Sequence, residues 1–170
     1  MLSRGGPRRA AIVLAVLVAA VLAGRLASER RESSPGGVRA EVTRVVDGDT
    51  IRVELGGTDE TVRYIGIDTP ESVRPDTPVQ CFAKQAAERN ATLVRGTELK
   101  LRFDVDRRDR FGRLLAYVYR ADDGTFVNAA LVRDGYARTL TVPPNVGHAG
   151  RFAQLQTDAR EHHRGLWSAC

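Results

Sequence analysis

The sequence predicts an α+β fold, mainly β, in which five short strands close a small barrel and about three helices pack around it. Segments that alternate apolar and polar residues, the pattern of half-buried strands, occur three times before residue 70 and twice after residue 97. A helical segment separates the two groups, and further helical segments follow. The resulting order, β-β-β-α-β-β-α-α, is that of a five-stranded OB-fold barrel.

The first three strands are predicted at 38–46, 50–55 and 61–67. Turn residues separate them, namely Asp47-Gly48-Asp49 and Gly56-Gly57. Three consecutive strands with short connections favour an antiparallel meander. The remaining two strands are predicted at 98–105 and 114–120.

The first helix is predicted to begin with a capping box, in which Thr77 is the N-cap, Pro78 the first helical residue and Gln80 the reciprocal partner. It continues with helical spacing to Gly96. A short helix is predicted at 127–134, and a last helix near the chain end is marked by Phe152, Leu155, Ala159 and Leu166.

The N-terminal segment is predicted to be a signal peptide or a membrane anchor at 1–28. Arginines precede an unbroken apolar run at 10–23, and small residues follow it. This run is shorter than the roughly 20 residues of a membrane-spanning helix, which favours a cleaved signal and an extracellular or cell-surface protein. The alternative is a domain anchored in the membrane by an uncleaved helix. A polar linker at 29–37 would then precede one domain at 38–170.

The net charge of +5 comes mostly from the N-terminal segment. Residues 1–37 carry six arginines and two glutamates, which leaves 20 basic and 19 acidic residues for the rest of the chain. Bulk charge therefore does not indicate a polyanionic partner, and any nucleic-acid binding must depend on local arrangement.

The chain contains two cysteines, Cys81 and Cys170, in no zinc-binding spacing. In an exported domain an even pair favours a disulfide. The alternative is two free thiols.

Acidic residues cluster beside two predicted turns, Asp47 and Asp49 after the first strand and Asp68 and Glu71 after the third. Carboxylates and backbone carbonyls are the ligands of hard cations such as Ca²⁺, although Asp-Gly-Asp is also ordinary turn chemistry. Arginines on neighbouring strands could bind phosphate through their bidentate guanidinium groups.

Three segments together resemble signatures of the staphylococcal nuclease (thermonuclease) family. They occur in the family's order, and the resemblance covers roughly residues 40–168. The segments are Val45-Val46-Asp47-Gly48-Asp49-Thr50, Arg63-Tyr64-Ile65-Gly66-Ile67-Asp68-Thr69-Pro70-Glu71 and Asp109-Arg110-Phe111-Gly112-Arg113-Leu114-Leu115-Ala116-Tyr117.

The resemblance implies a monomeric calcium-dependent nuclease that hydrolyses phosphodiester bonds in DNA or RNA. Asp49, Asp68 and the backbone carbonyl of Thr69 look like the family's Ca²⁺ ligands, with Asp47 nearby through water. Glu71 looks like the proposed general base.

The resemblance also implies roles for the third segment and for Arg63. Arg63 and Arg113 look like the phosphate-binding arginines, and Arg110 falls where the family has a basic residue near phosphate. The family's loop tyrosines are missing at 139–144, so Phe111 and Tyr117 become the candidates for contact with a nucleobase.

Two alternatives to a nuclease remain. One is a non-catalytic OB module that binds nucleic acid, and the other is a membrane-tethered interaction domain. The sequence favours the enzyme, because it retains the six residues that correspond to the family's metal ligands and catalytic groups, namely Asp49, Arg63, Asp68, Thr69, Glu71 and Arg113.

Overall fold

A computed structural model describes residues 36–71 and 78–170. The predicted signal or anchor segment and the capping residue Thr77 lie outside the described residues. One compact unit spans Gly37–Cys170. Within the described ranges, no helix is long and apolar enough to span a membrane.

Five strands form a closed barrel, which confirms the predicted fold class. Neighbours around the barrel follow the order β1-β2-β3-β6-β5, and β5 closes it against β1. All neighbouring pairs are antiparallel except β3 with β6. The strands are β1 Val38–Val45, β2 Thr50–Leu55, β3 Thr58–Tyr64, β4 Ile67–Asp68, β5 Glu98–Arg102, β6 Leu114–Arg120 and β7 Arg138–Thr139.

A two-stranded sheet of β4 and β7 and four helices accompany the barrel in the described part of the chain. The helices are α1 Ala83–Val94, α2 Val127–Arg133, α3 Ala149–Glu161 and α4 Leu166–Ala169. This short sheet matters for the site, because it pairs Ile67 and Asp68, which follow β3, with Arg138 and Thr139, which precede the loop that begins at residue 140.

The barrel interior is filled by alternate residues of the strands. Ile51, Val53 and Val62 are fully buried, as are Leu99 and Leu101 on β5. This period of two is what the alternating sequence pattern predicts for strands with one buried face. Burying each of these side chains contributes about 1.5–3 kcal/mol to the free energy of unfolding.

The start of the first helix differs from the prediction. The helix begins at Ala83, preceded by Phe82 in the left-handed region with φ 68° and without a side-chain cap. Gln80 does not act as a capping-box partner, because its side chain and backbone bind the backbone of Glu71 instead.

Three strands end earlier than predicted, and β1 does so by a single residue, at Val45. The third strand stops at Tyr64 because the chain turns at Gly66, where φ is 81° and an added Cβ would lie 2.5 Å from the Phe152 ring. The strand predicted at 98–105 stops at Arg102, and the carboxylate of Asp104 binds Gly147 and Tyr117 instead.

The last predicted helix is two helices. Gly165 separates them, with φ 53°, and an added Cβ there would lie 2.3 Å from the Gly135 carbonyl oxygen. Leu166 donates its N–H to that carbonyl at 2.8 Å. The close approach of two glycines therefore divides the C-terminal segment.

Cys81 and Cys170 form a disulfide, as predicted, with their Cα atoms 6.0 Å apart. The bond links Cys81, two positions before the start of α1, to the chain end. Its 89-residue separation closes a long loop, which restricts the unfolded chain.

Candidate active site

Asp49 lies at the centre of a buried polar cluster at the end of the turn between β1 and β2. Its Oδ2 accepts hydrogen bonds from the Thr69 backbone N–H at 2.7 Å and the Thr69 hydroxyl at 3.0 Å. Its Oδ1 accepts from the Thr50 hydroxyl at 3.1 Å. Gly48 makes this approach possible, because a Cβ there would lie 2.7 Å from the Thr69 side chain.

Arg63 connects this cluster to the segment after β3. Its Nε lies 3.2 Å from Asp49 Oδ1, and its terminal nitrogen donates to Asp68 Oδ1 at 2.9 Å. The other terminal nitrogen donates to the carbonyls of Tyr64 and Ile67 at 2.9 and 2.8 Å. The side chain is only 14% exposed, so its position is fixed by these four polar partners rather than by solvent.

Negative charge accumulates around Arg63. Burial raises the pKa of Asp49 to about 6, and Asp47 adds to this increase, while Arg63 and Thr69 oppose it. Burial also raises the pKa of Asp68, with Asp49 and Glu71 contributing through their charge. Arg63 therefore balances only part of the negative charge of these carboxylates.

The predicted metal ligands lie together, although the cluster is not a closed cage. Asp49 and Asp68 are joined through Arg63, and Thr69 contacts Asp49 directly. Across residues 36–71 and 78–170, no three His, Cys, Asp or Glu side chains form a ready metal-binding group. Two carboxylates, a backbone carbonyl and excess negative charge still fit a hard divalent cation that takes its other ligands from water.

Asp47 supports the cluster from the turn. Its Oδ1 accepts the Asp49 backbone N–H at 3.0 Å. Its carbonyl accepts from the side chain of Asn90, whose amide oxygen accepts from the Tyr64 hydroxyl at 2.9 Å. Sequence reasoning missed Asn90, although the amide stands at helical spacing between the apolar residues Ala86 and Leu93, and the structure buries it fully.

A cleft of about 570 Å³ opens beside Arg63. Basic residues and apolar residues share its walls. The basic residues are Arg63, Arg108, Arg110 and Arg113, and the apolar ones include Phe111, Leu140, Val142, Pro143 and Pro144. The predicted substrate-binding residues Arg110 and Phe111 are thus brought together with the predicted catalytic Arg63 and Arg113.

Phe111 projects into solvent at this cleft, with 68% of its surface exposed. The guanidinium carbons of Arg110 and Arg113 lie 4.7 and 5.5 Å from its ring centroid. Arginines over an aromatic face combine positive charge with a stacking surface. Leu140 and Val142 lie in the loop that lacks the family's tyrosines, and they add an exposed apolar surface to the cleft.

The structure does not bring Tyr117 to the cleft, which corrects its predicted role in substrate binding. Tyr117 is 5% exposed, and its hydroxyl donates to Asp104 at 2.9 Å. Its ring packs against His148, with centroids 4.5 Å apart. Its neighbours Ala116 and Val118 are buried as well, so both faces of β6 are covered at this point and Tyr117 supports the core.

Comparison with protein families matches residues 61–169 to a family described as staphylococcal nuclease homologue. The chain belongs to this family. The predicted resemblance is therefore confirmed, and the match includes the segments that carry Arg63, Asp68, Glu71 and Arg113.

Individual relatives agree with this membership. The chain is 35% identical to a protein named thermonuclease from Staphylococcus intermedius over 157 residues, 92% of each chain. It is 43% identical over 133 residues to the SPbeta prophage-derived endonuclease YokF of Bacillus subtilis (strain 168), which is 77% of this chain but 44% of that protein. It is 38% identical to a protein named thermonuclease from Staphylococcus hyicus, over 75% of each chain.

Proposed function

We propose that this member of the staphylococcal nuclease family is a calcium-dependent nuclease that hydrolyses phosphodiester bonds in DNA or RNA. The observation that carries the proposal is the position of Arg63, which pairs with Asp49 and Asp68 and also lines the cleft that contains Arg113. Carboxylates for a cation and arginines for a phosphate thus meet at one place.

Asp49, Asp68 and the carbonyl of Thr69 would hold the cation. Ca²⁺ bound there would compensate the charge of a phosphate and polarise it toward attack. The protein's own contribution is rigidity, because Asp49 is fixed by Thr50, Thr69 and Arg63.

Glu71 orients the attacking water and accepts its proton as the water oxygen bonds to phosphorus, while the ester P–O bond breaks and the leaving oxygen takes a proton from solvent. The charge of Glu71 contributes to the raised pKa of Asp68, which supports a place for Glu71 beside the proposed cation ligands. Its side chain is half-buried, which limits the number of directions it can take. General-base catalysis of this kind contributes typically 10²–10⁴-fold to a rate.

Arg63 and Arg113 stabilise the charge that develops on the phosphate oxygens. Preorganised cationic donors are effective because they need not reorganise during the reaction. Arg113 is held by Asp109, whose carboxylate accepts from its Nε at 2.7 Å and from its backbone N–H at 3.0 Å. Asp109 is a positioning residue that the sequence interpretation did not single out.

The substrate binds along the cleft through charge and stacking. Arg110 contacts phosphate, and Phe111 offers a face to a nucleobase. A single-stranded or locally opened substrate suits this arrangement, because a base must leave its stack to lie on Phe111.

We also propose that the protein is exported and acts as a monomer. The charged and apolar N-terminal segment supports export, and a disulfide between Cys81 and Cys170 is typical of oxidising compartments. N-terminal sequencing of the protein recovered from the medium and from membranes distinguishes a secreted protein with a cleaved signal from one anchored by an uncleaved helix. A start near residues 24–29 in the medium supports a cleaved signal, and an intact chain found only in membranes supports the anchor.

The experiment that tests the nuclease is digestion of single-stranded DNA, duplex DNA and RNA, with Ca²⁺ and with a chelator. Arg113→Ala serves as the site variant, and Arg95→Ala, an exposed arginine at the end of α1, as its matched control. Calcium-dependent cleavage that Arg113→Ala reduces about 100-fold or more, and Arg95→Ala leaves intact, supports the proposal. Binding of the same substrates by folded, calcium-loaded protein without any cleavage would instead identify a nucleic-acid-binding module.

A further inference from the structure

Gln80 binds the backbone of Glu71 at two points. The Glu71 N–H donates to the side-chain oxygen of Gln80 at 2.9 Å, and the Glu71 carbonyl accepts the Gln80 backbone N–H at 3.0 Å. Gln80 therefore binds both backbone polar groups of Glu71, from nine residues further along the chain. This paired contact fixes the direction in which the Glu71 backbone runs.

Gln80 is itself anchored on its C-terminal side. Cys81 is bonded to Cys170, and α4, which precedes Cys170, is held by the buried Leu166. Leu166 also donates its N–H to the Gly135 carbonyl at 2.8 Å. The disulfide thus connects the residue beside Gln80 to a helix packed in the core.

A second contact restrains the same segment. The ring of Phe82 lies 5.3 Å from that of Tyr136, centroid to centroid, although Phe82 has a left-handed backbone. A non-glycine residue rarely adopts this conformation, so surrounding contacts must maintain it. The segment from Gln80 to Phe82 is therefore held in an unusual local conformation by covalent and ring contacts.

We propose that Gln80 is a positioning residue for Glu71, and that the Cys81–Cys170 disulfide holds Gln80 in place for this role. The inference rests on the proposed function, because it assigns a consequence for catalysis to the backbone of the general base. Three steps connect the chain end to Glu71: the disulfide links Cys170 to Cys81, Cys81 is the chain neighbour of Gln80, and Gln80 binds the Glu71 backbone.

A purely structural role predicts a different result. If these contacts only stabilise the fold, their loss lowers the melting temperature and leaves turnover by the folded enzyme unchanged. If Gln80 positions Glu71, its loss lowers kcat and leaves KM nearly unchanged, because the arginines and Phe111 bind the substrate. We expect kcat to fall about 10-fold, since the contact is a hydrogen bond at the protein surface.

The test compares three variants of the full-length protein in calcium-dependent cleavage of single-stranded DNA. Gln80→Met keeps the length of the side chain and removes the acceptor oxygen, whereas Gln80→Glu retains an acceptor. Gln85→Met makes the same chemical change at an exposed position of α1. The proposal predicts a lower kcat for Gln80→Met, recovery to within about 3-fold for Gln80→Glu, and wild-type kinetics for Gln85→Met.

The role of the disulfide is tested with Cys81→Ser/Cys170→Ser, alone and combined with Gln80→Met. Assays well below each variant's melting temperature keep the compared proteins folded. If the disulfide acts through Gln80, the combined variant loses no more than the stronger of its parents, so the effects on kcat are not additive. Fully additive losses would overturn the link between the disulfide and Gln80.

Hydrogen exchange of the Glu71 amide provides a readout that does not depend on activity. Exchange should be faster in Gln80→Met than in the wild type and in Gln85→Met. Two results would overturn the inference and leave the proposed function standing, provided that the wild type cleaves DNA. One is a kcat of Gln80→Met within 2-fold of wild type, and the other is unchanged exchange of the Glu71 amide in Gln80→Met. Absence of any cleavage by the wild type would overturn the proposed function, and the catalytic role of Gln80 with it.

Discussion

Asp109 holds Arg113 at two points, accepting its backbone N–H at 3.0 Å and its Nε at 2.7 Å. The same carboxylate accepts the Phe111 N–H at 2.9 Å, and Gly112 completes the turn with φ 81°. One aspartate thus fixes both the arginine proposed to bind the transition state and the aromatic ring proposed to bind a base.

Asp109→Ala should therefore lower kcat about 10- to 100-fold, because Arg113 loses the partner that orients it. Steady-state kinetics on single-stranded DNA checks this. Asp123→Ala is a matched control, since Asp123 also closes a turn and lies 3.3 Å from an arginine, but away from the residues that line the cleft. Equal losses in both variants would argue against a specific effect at the site.

Phe111→Ala should raise KM for single-stranded DNA about 5- to 100-fold, because stacking contributes about 1–3 kcal/mol per base. Phe111→Tyr keeps the aromatic face and should retain wild-type affinity within about 3-fold. Val38→Ala removes an exposed apolar side chain outside the cleft and provides the control. A KM unchanged in Phe111→Ala would place the base elsewhere, with Leu140 and Val142 as the next surface to examine.

Calcium should support cleavage, whereas magnesium should bind and support little. Mg²⁺ demands a stricter octahedral geometry than two carboxylates and a carbonyl readily provide, while Ca²⁺ tolerates irregular ligand sets. Cleavage rates measured with each ion, after removal of metal by chelation, check this. Equal rates with the two ions would contradict this account of metal selectivity.

Asp104 should make the protein less stable in acid. Burial alone would raise its pKa, but hydrogen bonds from Gly147, Tyr117 and Val105 outweigh burial, so the folded pKa lies below the ordinary 3.8. The unfolded chain then binds more protons, so this stabilisation is complete above the unfolded pKa and is lost as pH falls through the folded one.

Asp104→Asn checks this pH dependence. The variant should be less stable than wild type by about 1–2 kcal/mol at pH 7, and the difference should shrink toward pH 3. Urea unfolding at both pH values measures it. A difference of the same size at pH 7 and pH 3 would show that the charge of Asp104 contributes nothing.

The sequence predicted the barrel well because half-buried strands show a local alternation of apolar and polar residues. The bounds of β2 and β6 match their predictions, and α2 ends one residue earlier than predicted. The errors occur where distant residues decide the backbone. Phe152 against Gly66 ends β3, Gly135 against Gly165 divides the last helix, and Glu71 binds Gln80 in place of a helix cap.

The site was predicted in the same uneven way. Asp49, Arg63 and Asp68 meet as their motif predicts, because two of them lie on one short segment and β2–β3 pairing brings the third beside them. Tyr117 was misplaced, since a motif does not show which face of a strand is buried. Asp109 was not assigned a role, and Gln80 was wrongly assigned to a helix cap, because the importance of both residues depends on which partners folding brings to them.

The most direct test of the central claim is single-turnover cleavage by Glu71→Gln, with excess protein, Ca²⁺ and labelled single-stranded DNA. The amide keeps the size of the carboxylate and cannot accept the proton from water. We predict a cleavage rate at least about 100-fold below wild type, with nucleic-acid affinity unchanged within about 3-fold. Cleavage by Glu71→Gln at the wild-type rate would contradict the account of the active site.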